Sequence, residues 1–366
     1  MRAVAVIPSR KNLAVIDRPV PAIEQADEVL VRILDVGICG TDREIARFDY
    51  GTPPPGDDHL VIGHESLGRV VDIGPGVTGV KPGDLVVTMV RRPCSHPDCH
   101  ACRAGRPDFC FTGDYTERGI NQRHGFMTEL IVDHERYMHV VPGALRPVGV
   151  LVEPLTIAEK ALIQVWDVQD RLPWTAPGTP AGSGHGQKAL VLGAGPVGLL
   201  GAMALLLRGF DTAVYSLEGA DDPKAAWVAS VGARYLSAAT MSLDDVATAL
   251  GRIDLVYEAT GASRLSFEAL ERLGVNGVFV FTGVPGRKGP IQIDADRLMR
   301  NLVLKNQLVF GTVNASATLL PSPEICREST ICCMAGLLAA CIRAIPSSRS
   351  CVKPISRPAT PASGPR

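Results

Sequence analysis

Side chains that can bind a catalytic metal occur in two short segments near the N-terminus. Cys39 lies within the segment GICGTD, and the pair His64-Glu65 lies within VIGHESLG. A thiolate, an imidazole and a carboxylate all bind zinc, and a site built from few of them leaves a coordination position for water or substrate. Glycines border both segments and allow the sharp turns that direct side chains to one point. The pattern predicts a catalytic zinc site, and the alternative is a buried cysteine beside a surface His-Glu turn.

A second group of cysteines follows within a stretch rich in proline and glycine. Its members are Cys94, Cys99, Cys102 and Cys110. Four thiolates are the ligand set of a closed, tetrahedral zinc site, which stabilises a loop that lacks a core of its own. The spacing therefore predicts a structural zinc. The histidines at 96 and 100 are close enough to replace Cys94 as a ligand.

A glycine-rich turn in the second half of the chain has the pattern that binds a dinucleotide. It consists of Gly193, Ala194, Gly195, Pro196, Val197 and Gly198. A predicted strand at 188–192 precedes it, a predicted helix at 196–208 follows, and another strand is predicted at 212–217. In this context the backbone can approach a pyrophosphate, and amides at the helix N-terminus meet its charge.

The end of the strand at 212–217 should contact the adenosine ribose. An acidic residue there favours NAD, whereas a nearby arginine favours NADP. This chain has Ser216, Leu217 and Glu218. Ser216 can bond a hydroxyl or a phosphate oxygen, and Lys224 and Arg234 could offset the charge of Glu218. We therefore predict that both nucleotides are used.

The segment GICGTD followed by GHE resembles the catalytic-zinc segments of medium-chain, zinc-dependent alcohol and polyol dehydrogenases. The later segments ERGI and HGFM, at 117–120 and 124–127, look most like those of archaeal-type glucose 1-dehydrogenases. The resemblance extends from the N-terminus to about residue 315. It implies an α/β fold with a GroES-like, β-rich catalytic domain and a Rossmann domain, a doubly wound parallel sheet that binds the nucleotide.

The resemblance also implies roles for individual residues. Cys39, His64 and Glu65 would bind the catalytic zinc, and Glu153 would bind it directly or through water. Thr41 would contact the reacting hydroxyl, and Glu117, Glu153 and Asn314 would contact a sugar. The strand-end loops that would meet the nicotinamide contain Thr282, Gly283, Val284, Thr312, Val313 and Asn314.

Composition narrows the class of protein. The 366 residues carry a formal net charge of −1 and include 46% hydrophobic residues, which suits two globular domains without a basic surface for nucleic acid or anionic lipid. The N-terminus has no apolar segment long enough for a signal peptide, so we expect a cytoplasmic protein. Residues 189–207 carry no charge, but their glycines favour a strand, turn and helix over a membrane span. Family resemblance implies a homo-oligomer.

The predicted domains are residues 1–187 for catalysis and 188–315 for nucleotide binding, with a Gly/Pro/Ser-rich linker at 175–187 between them. Residues 316–366 differ in composition, with no aromatic residue, seven prolines and five cysteines. We interpret this tail as a frame-shifted or replaced terminus, and a divergent native terminus is the alternative.

These observations predict a glucose 1-dehydrogenase that oxidises glucose at C1 to gluconolactone, with zinc and NAD or NADP as cofactors. Two other functions stay open. The first is a dehydrogenase of another polyol or secondary alcohol, because the GHE and Glu-Pro segments are shared by that wider group. The second is an inactive relative that binds NAD(P) without turnover, because of the altered tail.

Overall fold

The computed structural model describes residues 1–180, 182–286 and 289–314. The predicted tail at 316–366 lies outside these residues. The first half of the chain is rich in short strands, as its alternating apolar residues predict. The strands are Arg2–Ile7 (β1), Asn12–Asp17 (β2), Glu28–Gly37 (β3), Leu60–Val61 (β4), Glu65–Ile73 (β5), Leu85–Thr88 (β6), Arg91–Arg92 (β7), Thr116–Arg118 (β8), Gln122–Arg123 (β9), Leu130–His134 (β10) and Met138–Val141 (β11).

These strands form three sheets, ordered β2-β1-β4, β10-β3-β5-β6-β11 and β7-β8-β9. The five-stranded sheet is antiparallel, and its inward valines, such as Val29, Val31 and Val86, form a buried core with Phe126. The α-helices among the described residues of this half are Gly40–Ala46 (α1), His100–Arg103 (α2) and Val152–Gln169 (α3). The arrangement confirms the predicted GroES-like, β-rich fold.

The second half of the chain is a six-stranded parallel sheet, ordered β14-β13-β12-β15-β16-β17. Its strands are Lys188–Leu192 (β12), Asp211–Ser216 (β13), Arg234–Ser237 (β14), Leu255–Glu258 (β15), Val278–Phe281 (β16) and Leu308–Gly311 (β17). Its helices are Pro196–Leu207 (α4), Pro223–Ser230 (α5), Leu243–Leu250 (α6), Ser263–Leu270 (α7) and Ala295–Leu304 (α8).

Apolar side chains cover both faces of the parallel sheet. On one face α3 and α4 pack together with Val191 and Tyr257, and on the other face α6 and α7 pack with Leu190 and Phe279. Helices on both faces and the reversal of strand order at β12 define a doubly wound sheet, as the sequence predicts. Residues 189–207 form β12, a turn and α4. Within the described residues, no helix is long and apolar enough to cross a membrane.

Candidate functional site

The pairing of β3 with β5 brings the two predicted metal-ligand segments together. In this antiparallel pair Gly37 lies directly opposite Glu65, so Cys39 and His64 extend from adjacent strand ends. A Cβ atom at Gly37 would lie 2.0 Å from Glu65 Oε2. Only glycine therefore leaves room for the Glu65 carboxylate in this position.

Cys39, His64 and Glu65 form a cluster in which one ligand atom from each residue lies within 4.8 Å of the others. His64 is buried, and Cys39 and Glu65 are partly buried. Such a set, with one imidazole, one thiolate and one carboxylate, has the composition of an open zinc site. The cluster does not include Glu153, which lies in the first turn of α3 and is near enough for its charge to act on His64.

Asp42 holds this cluster in place, and the sequence did not single it out. One carboxylate oxygen accepts from the backbone N–H of Cys39 at 2.9 Å, and the other accepts from the backbone N–H of Gly63 at 3.1 Å. The second oxygen also lies 3.5 Å from Nδ1 of His64. Asp42 thus joins both ligand segments, and its position after the Cys-Gly-Thr of the motif was the available signal.

Uncompensated negative charge surrounds the cluster. Burial alone would lower the pKa of His64, but Asp42, Cys39 and Glu153 raise it well above its ordinary value. Burial raises the pKa of Glu65, and burial with the nearby carboxylates raises the pKa of Glu153 to about 7. The raised pKa of His64, and the contribution of nearby carboxylates to that of Glu153, indicate a site that favours a positive charge. The residues therefore fit a bound divalent cation.

Thr41 lies in the first turn of α1 and is half-buried. In the portion of the chain described by the structure, its hydroxyl makes no hydrogen bond to another protein group. The hydroxyl is therefore available to a ligand beside the cluster.

The four predicted cysteines come together within the segment 94–110, the cysteine lobe. The sulfur atoms of Cys94, Cys99, Cys102 and Cys110 all lie within 4.8 Å of one another. Burial would raise the pKa of Cys110, but hydrogen bonds led by that of Thr112 lower it to about 6, which favours the thiolate. His96, proposed as an alternative ligand, pairs with Asp114. The four thiols alone complete a tetrahedral ligand set.

Glu117 lies in β8 and is bound by groups from both halves of the chain. Its Oε1 accepts from Nε of Arg91 at 3.0 Å and from Nδ2 of Asn314 at 2.7 Å. Arg91 also approaches the same oxygen with its Nη2 at 3.0 Å. Oε2 takes no part in these contacts. The sequence reasoning missed Arg91, because an arginine in a short strand carries no signal of its partner.

The glycine turn has the geometry that dinucleotide binding requires. Gly193 has φ +101°, and a Cβ at Gly198 would lie 2.0 Å from the Gly193 carbonyl oxygen. The space beside Gly195 is open, with no heavy atom within 4 Å of its Cβ position. A ligand can therefore approach the backbone where α4 begins.

The end of β13 carries a paired carboxylate. Glu218 accepts hydrogen bonds from Lys224 and Ser216, which lower its pKa to about 2. Leu217 points to solvent. Arg234, expected to offset Glu218, instead pairs with Asp211, where β13 and β14 begin. Only Lys224 of the two expected cations meets Glu218.

Two loops that follow β16 and β17 contain the residues predicted to meet the nicotinamide. Thr282 donates its hydroxyl to the Glu258 carbonyl at 2.6 Å, and Gly283 lies against the Glu258 carboxylate. Val284 and Val313 are exposed, whereas Thr312 is buried and its Oγ1 has no hydrogen-bond partner among the described residues. The exposed side chains of these loops, Val284 and Val313, are therefore apolar.

Two family models cover most of the chain. The alcohol dehydrogenase GroES-like domain matches residues 25–143, and the glucose dehydrogenase C-terminus matches residues 146–320. The two matches divide the chain close to the start of α3.

Relatives of known activity match over most of their length. The chain is 39% identical to glucose 1-dehydrogenase of Methanocella arvoryzae and 41% identical to that of Thermoproteus tenax, each over 86% of this chain and 85% or 84% of the relative. A solved structure of Haloferax mediterranei glucose dehydrogenase in complex with NADP, Zn and gluconolactone superposes with a TM-score of 0.81 at 32% identity. It covers 93% of this chain and 91% of that one.

Proposed function

The chain belongs to the glucose 1-dehydrogenase family, and from that premise we propose that it oxidises D-glucose at C1 to gluconolactone with NAD(P)+ as hydride acceptor. The single observation that carries the proposal is the Cys39, His64 and Glu65 cluster, in a chain whose parallel sheet also carries an open, glycine-rich dinucleotide turn. We propose two domains: residues 1–187 carry out catalysis, and residues 188–315 bind the nucleotide.

Cys39, His64 and Glu65 would hold the catalytic zinc, with Glu153 direct or through water, and the four-cysteine lobe would hold the structural zinc. When bound, the catalytic zinc supplies a Lewis acid that lowers the pKa of the C1 hydroxyl, and the nicotinamide accepts the hydride. Thr41 would hydrogen-bond the reacting hydroxyl, since its own hydroxyl has no partner among the residues that the structure describes. Asp42 would keep the ligand segments aligned.

Glu117, Glu153 and Asn314 would hold the sugar. Arg91 and Asn314 already occupy Oε1 of Glu117, which leaves Oε2 to accept from sugar hydroxyls. A carboxylate paired with a buried arginine can form strong, charge-assisted hydrogen bonds to sugar hydroxyls. The contact fixes the orientation of the sugar, and orientation accounts for much of the rate of such reactions.

A substrate panel tests this function. Glucose, galactose, xylose, sorbitol and threonine are assayed with NAD+ and with NADP+, and nucleotide binding is followed by fluorescence. We expect turnover of glucose, with slower turnover of its epimers, because a pocket that contacts only some hydroxyls discriminates weakly. Preference for sorbitol or threonine would support the polyol alternative, and binding without any turnover would support the inactive relative.

Replacing Glu117 by glutamine should weaken sugar binding. We expect KM for glucose to rise by about tenfold to a hundredfold, because the charge-assisted hydrogen bonds are lost, with a smaller change in kcat. Steady-state kinetics measure both constants, and a thermal melt checks folding. The matched control is Glu129→Gln, which removes a surface ion pair with Arg2. An unchanged KM in a folded Gln variant would rule out Glu117 as a sugar contact.

The nucleotide proposal is dual use of NAD+ and NADP+. Glu218 is ionised but already paired with Lys224, so its charge opposes a 2′-phosphate only in part. Ser216 can donate to a hydroxyl or to a phosphate oxygen. Neither group gives a reason for strong preference between the two nucleotides.

Glu218→Gln should shift this balance towards NADP. Loss of the carboxylate frees Lys224 for the 2′-phosphate, and we expect the ratio of Kd for NADPH to Kd for NADH to fall about tenfold. Titration of nucleotide fluorescence measures both Kd values without turnover. Asp244→Asn is the control, because it breaks another surface pair, between Asp244 in α6 and Arg272 after α7, in the same half of the chain. An unchanged ratio would show that Glu218 does not contact the ribose end.

We also propose that the protein is located in the cytoplasm and assembles into a homo-oligomer. A reducing compartment would keep the four zinc-binding thiols from forming disulfides. Light scattering of the purified chain measures the assembly directly, and a monomer at working concentration would contradict it.

A further inference from the structure

Lys160 is a buried lysine that the proposed chemistry does not use. It lies in α3 with a side chain only 2% exposed. Its Nζ pairs with Asp108 Oδ2 at 3.0 Å and donates to the Val313 carbonyl oxygen at 2.8 Å. The same ammonium lies 4.3 Å from the ring centre of Phe109. A buried ammonium needs such partners, and here they come from two distant parts of the chain.

The first partner belongs to the cysteine lobe. Asp108 and Phe109 form a short turn that leads directly into Cys110. Asp108 also accepts two hydrogen bonds from Arg106, at 3.1 and 3.0 Å. The carboxylate is thus fixed within the lobe, and it anchors Lys160 there.

The second partner belongs to the loop after β17. Val313 precedes Asn314, whose φ of +60° is unfavourable for a residue with a side chain. Asn314 in turn donates to Glu117. The Val313–Asn314 turn is therefore held at its carbonyl by Lys160 and at its side chain by Glu117, and these contacts offset the backbone strain.

We propose that Lys160 is a positioning residue that locks the Val313–Asn314 turn to the cysteine lobe and so sets the affinities for sugar and nucleotide together. The inference rests on the proposed function, because it takes Glu117 as the sugar contact and the turn as a nicotinamide contact. Lys160 touches neither ligand and acts through the turn. Without its ammonium, the Val313 carbonyl loses its donor and Asn314 loses the support for its strained backbone.

Lys160→Met tests the proposal, because methionine fills similar space and leaves Asp108 paired with Arg106. We expect KM for glucose to rise about tenfold and Kd for NADPH and NADH to rise about threefold, with kcat changed less than twofold. The control is Glu159→Gln in the same helix, which breaks the partly exposed pair with Arg208. This control should leave KM and Kd unchanged.

Two further variants keep the proposal falsifiable if the methionine variant does not fold. Lys160→Arg retains a cation and should restore part of the affinity, and Asp108→Asn removes the anchor and should weaken both ligands in the same direction. A lower melting temperature with unchanged KM and Kd in the folded variants would reduce Lys160 to a structural role and overturn the proposal. If the unmodified chain does not oxidise glucose, the proposed function fails, while the nucleotide Kd values still decide the role of Lys160.

Discussion

Cys39→Ser is expected to lower kcat/KM for glucose by about a thousandfold or more and to remove one zinc ion per chain. A serine hydroxyl is a poor zinc ligand at neutral pH, and the Lewis acid is worth several kcal/mol to the reaction, at about 1.4 kcal/mol for each factor of ten. Metal content by atomic emission and steady-state kinetics measure the two effects.

The cysteine lobe offers the matched comparison for this prediction. Cys110→Ser should also remove one zinc, but its main effect should be a lower melting temperature, because the lobe has few buried apolar residues to replace the metal. Cys39→Ser should leave the melting temperature nearly unchanged. Full activity of the Cys39 variant in metal-free buffer would contradict the assigned zinc site.

Asp133→Asn should cause the largest loss of stability, about 3 to 5 kcal/mol. Asp133 is buried in β10, and its Oδ2 accepts from Arg92 and from Arg118 Nε at 2.8 Å. Without the carboxylate charge, two buried guanidinium groups lose their shared partner. Arg118 directly follows Glu117, so sugar affinity should fall as well. Urea unfolding followed by circular dichroism gives the free energy of unfolding.

The same residue predicts a pH dependence. Burial would raise the pKa of Asp133, but Arg118 and Arg92 lower it to about 2, below the ordinary value of 3.8. A lowered folded-state pKa contributes stability that is present above about pH 4 and is lost as the pH falls towards 2. The Asp133→Asn variant should lack this pH-dependent contribution to the free energy of unfolding. Asp35→Asn, which breaks a half-exposed pair with Arg146, should cost less than about 1 kcal/mol, and an equal cost for both variants would refute the assignment.

The sequence was sufficient to predict those structural features whose contacting residues are close together in the chain. The glycine turn is local, since Gly193 needs its positive φ and Gly198 its close packing within six residues, so the motif identified the nucleotide sheet. The cysteine lobe is also local and could be identified from spacing. In both cases the residues that make contact are close in sequence.

Contacts between distant residues could not be predicted in this way. The register that places Gly37 opposite Glu65 depends on the whole β3–β5 pair. Lys160 and Arg91 looked like ordinary cations in sequence, because their partners lie 153 and 26 residues away. Arg234 was expected near the ribose, which should bind at the carboxyl end of β13. Arg234 instead pairs with Asp211, because both residues begin their parallel strands and so lie at the amino ends of those strands.

Oxidation of glucose carrying deuterium at C1 tests the central claim most directly. The unmodified chain, supplied with zinc, NADP+ and the labelled sugar, should form gluconolactone and reduced nucleotide in equal amounts. Mass spectrometry should find one deuterium in each reduced nucleotide, because the hydride leaves from C1. Reduced nucleotide without deuterium, or no reduction of either NADP+ or NAD+ by glucose, would contradict the claim.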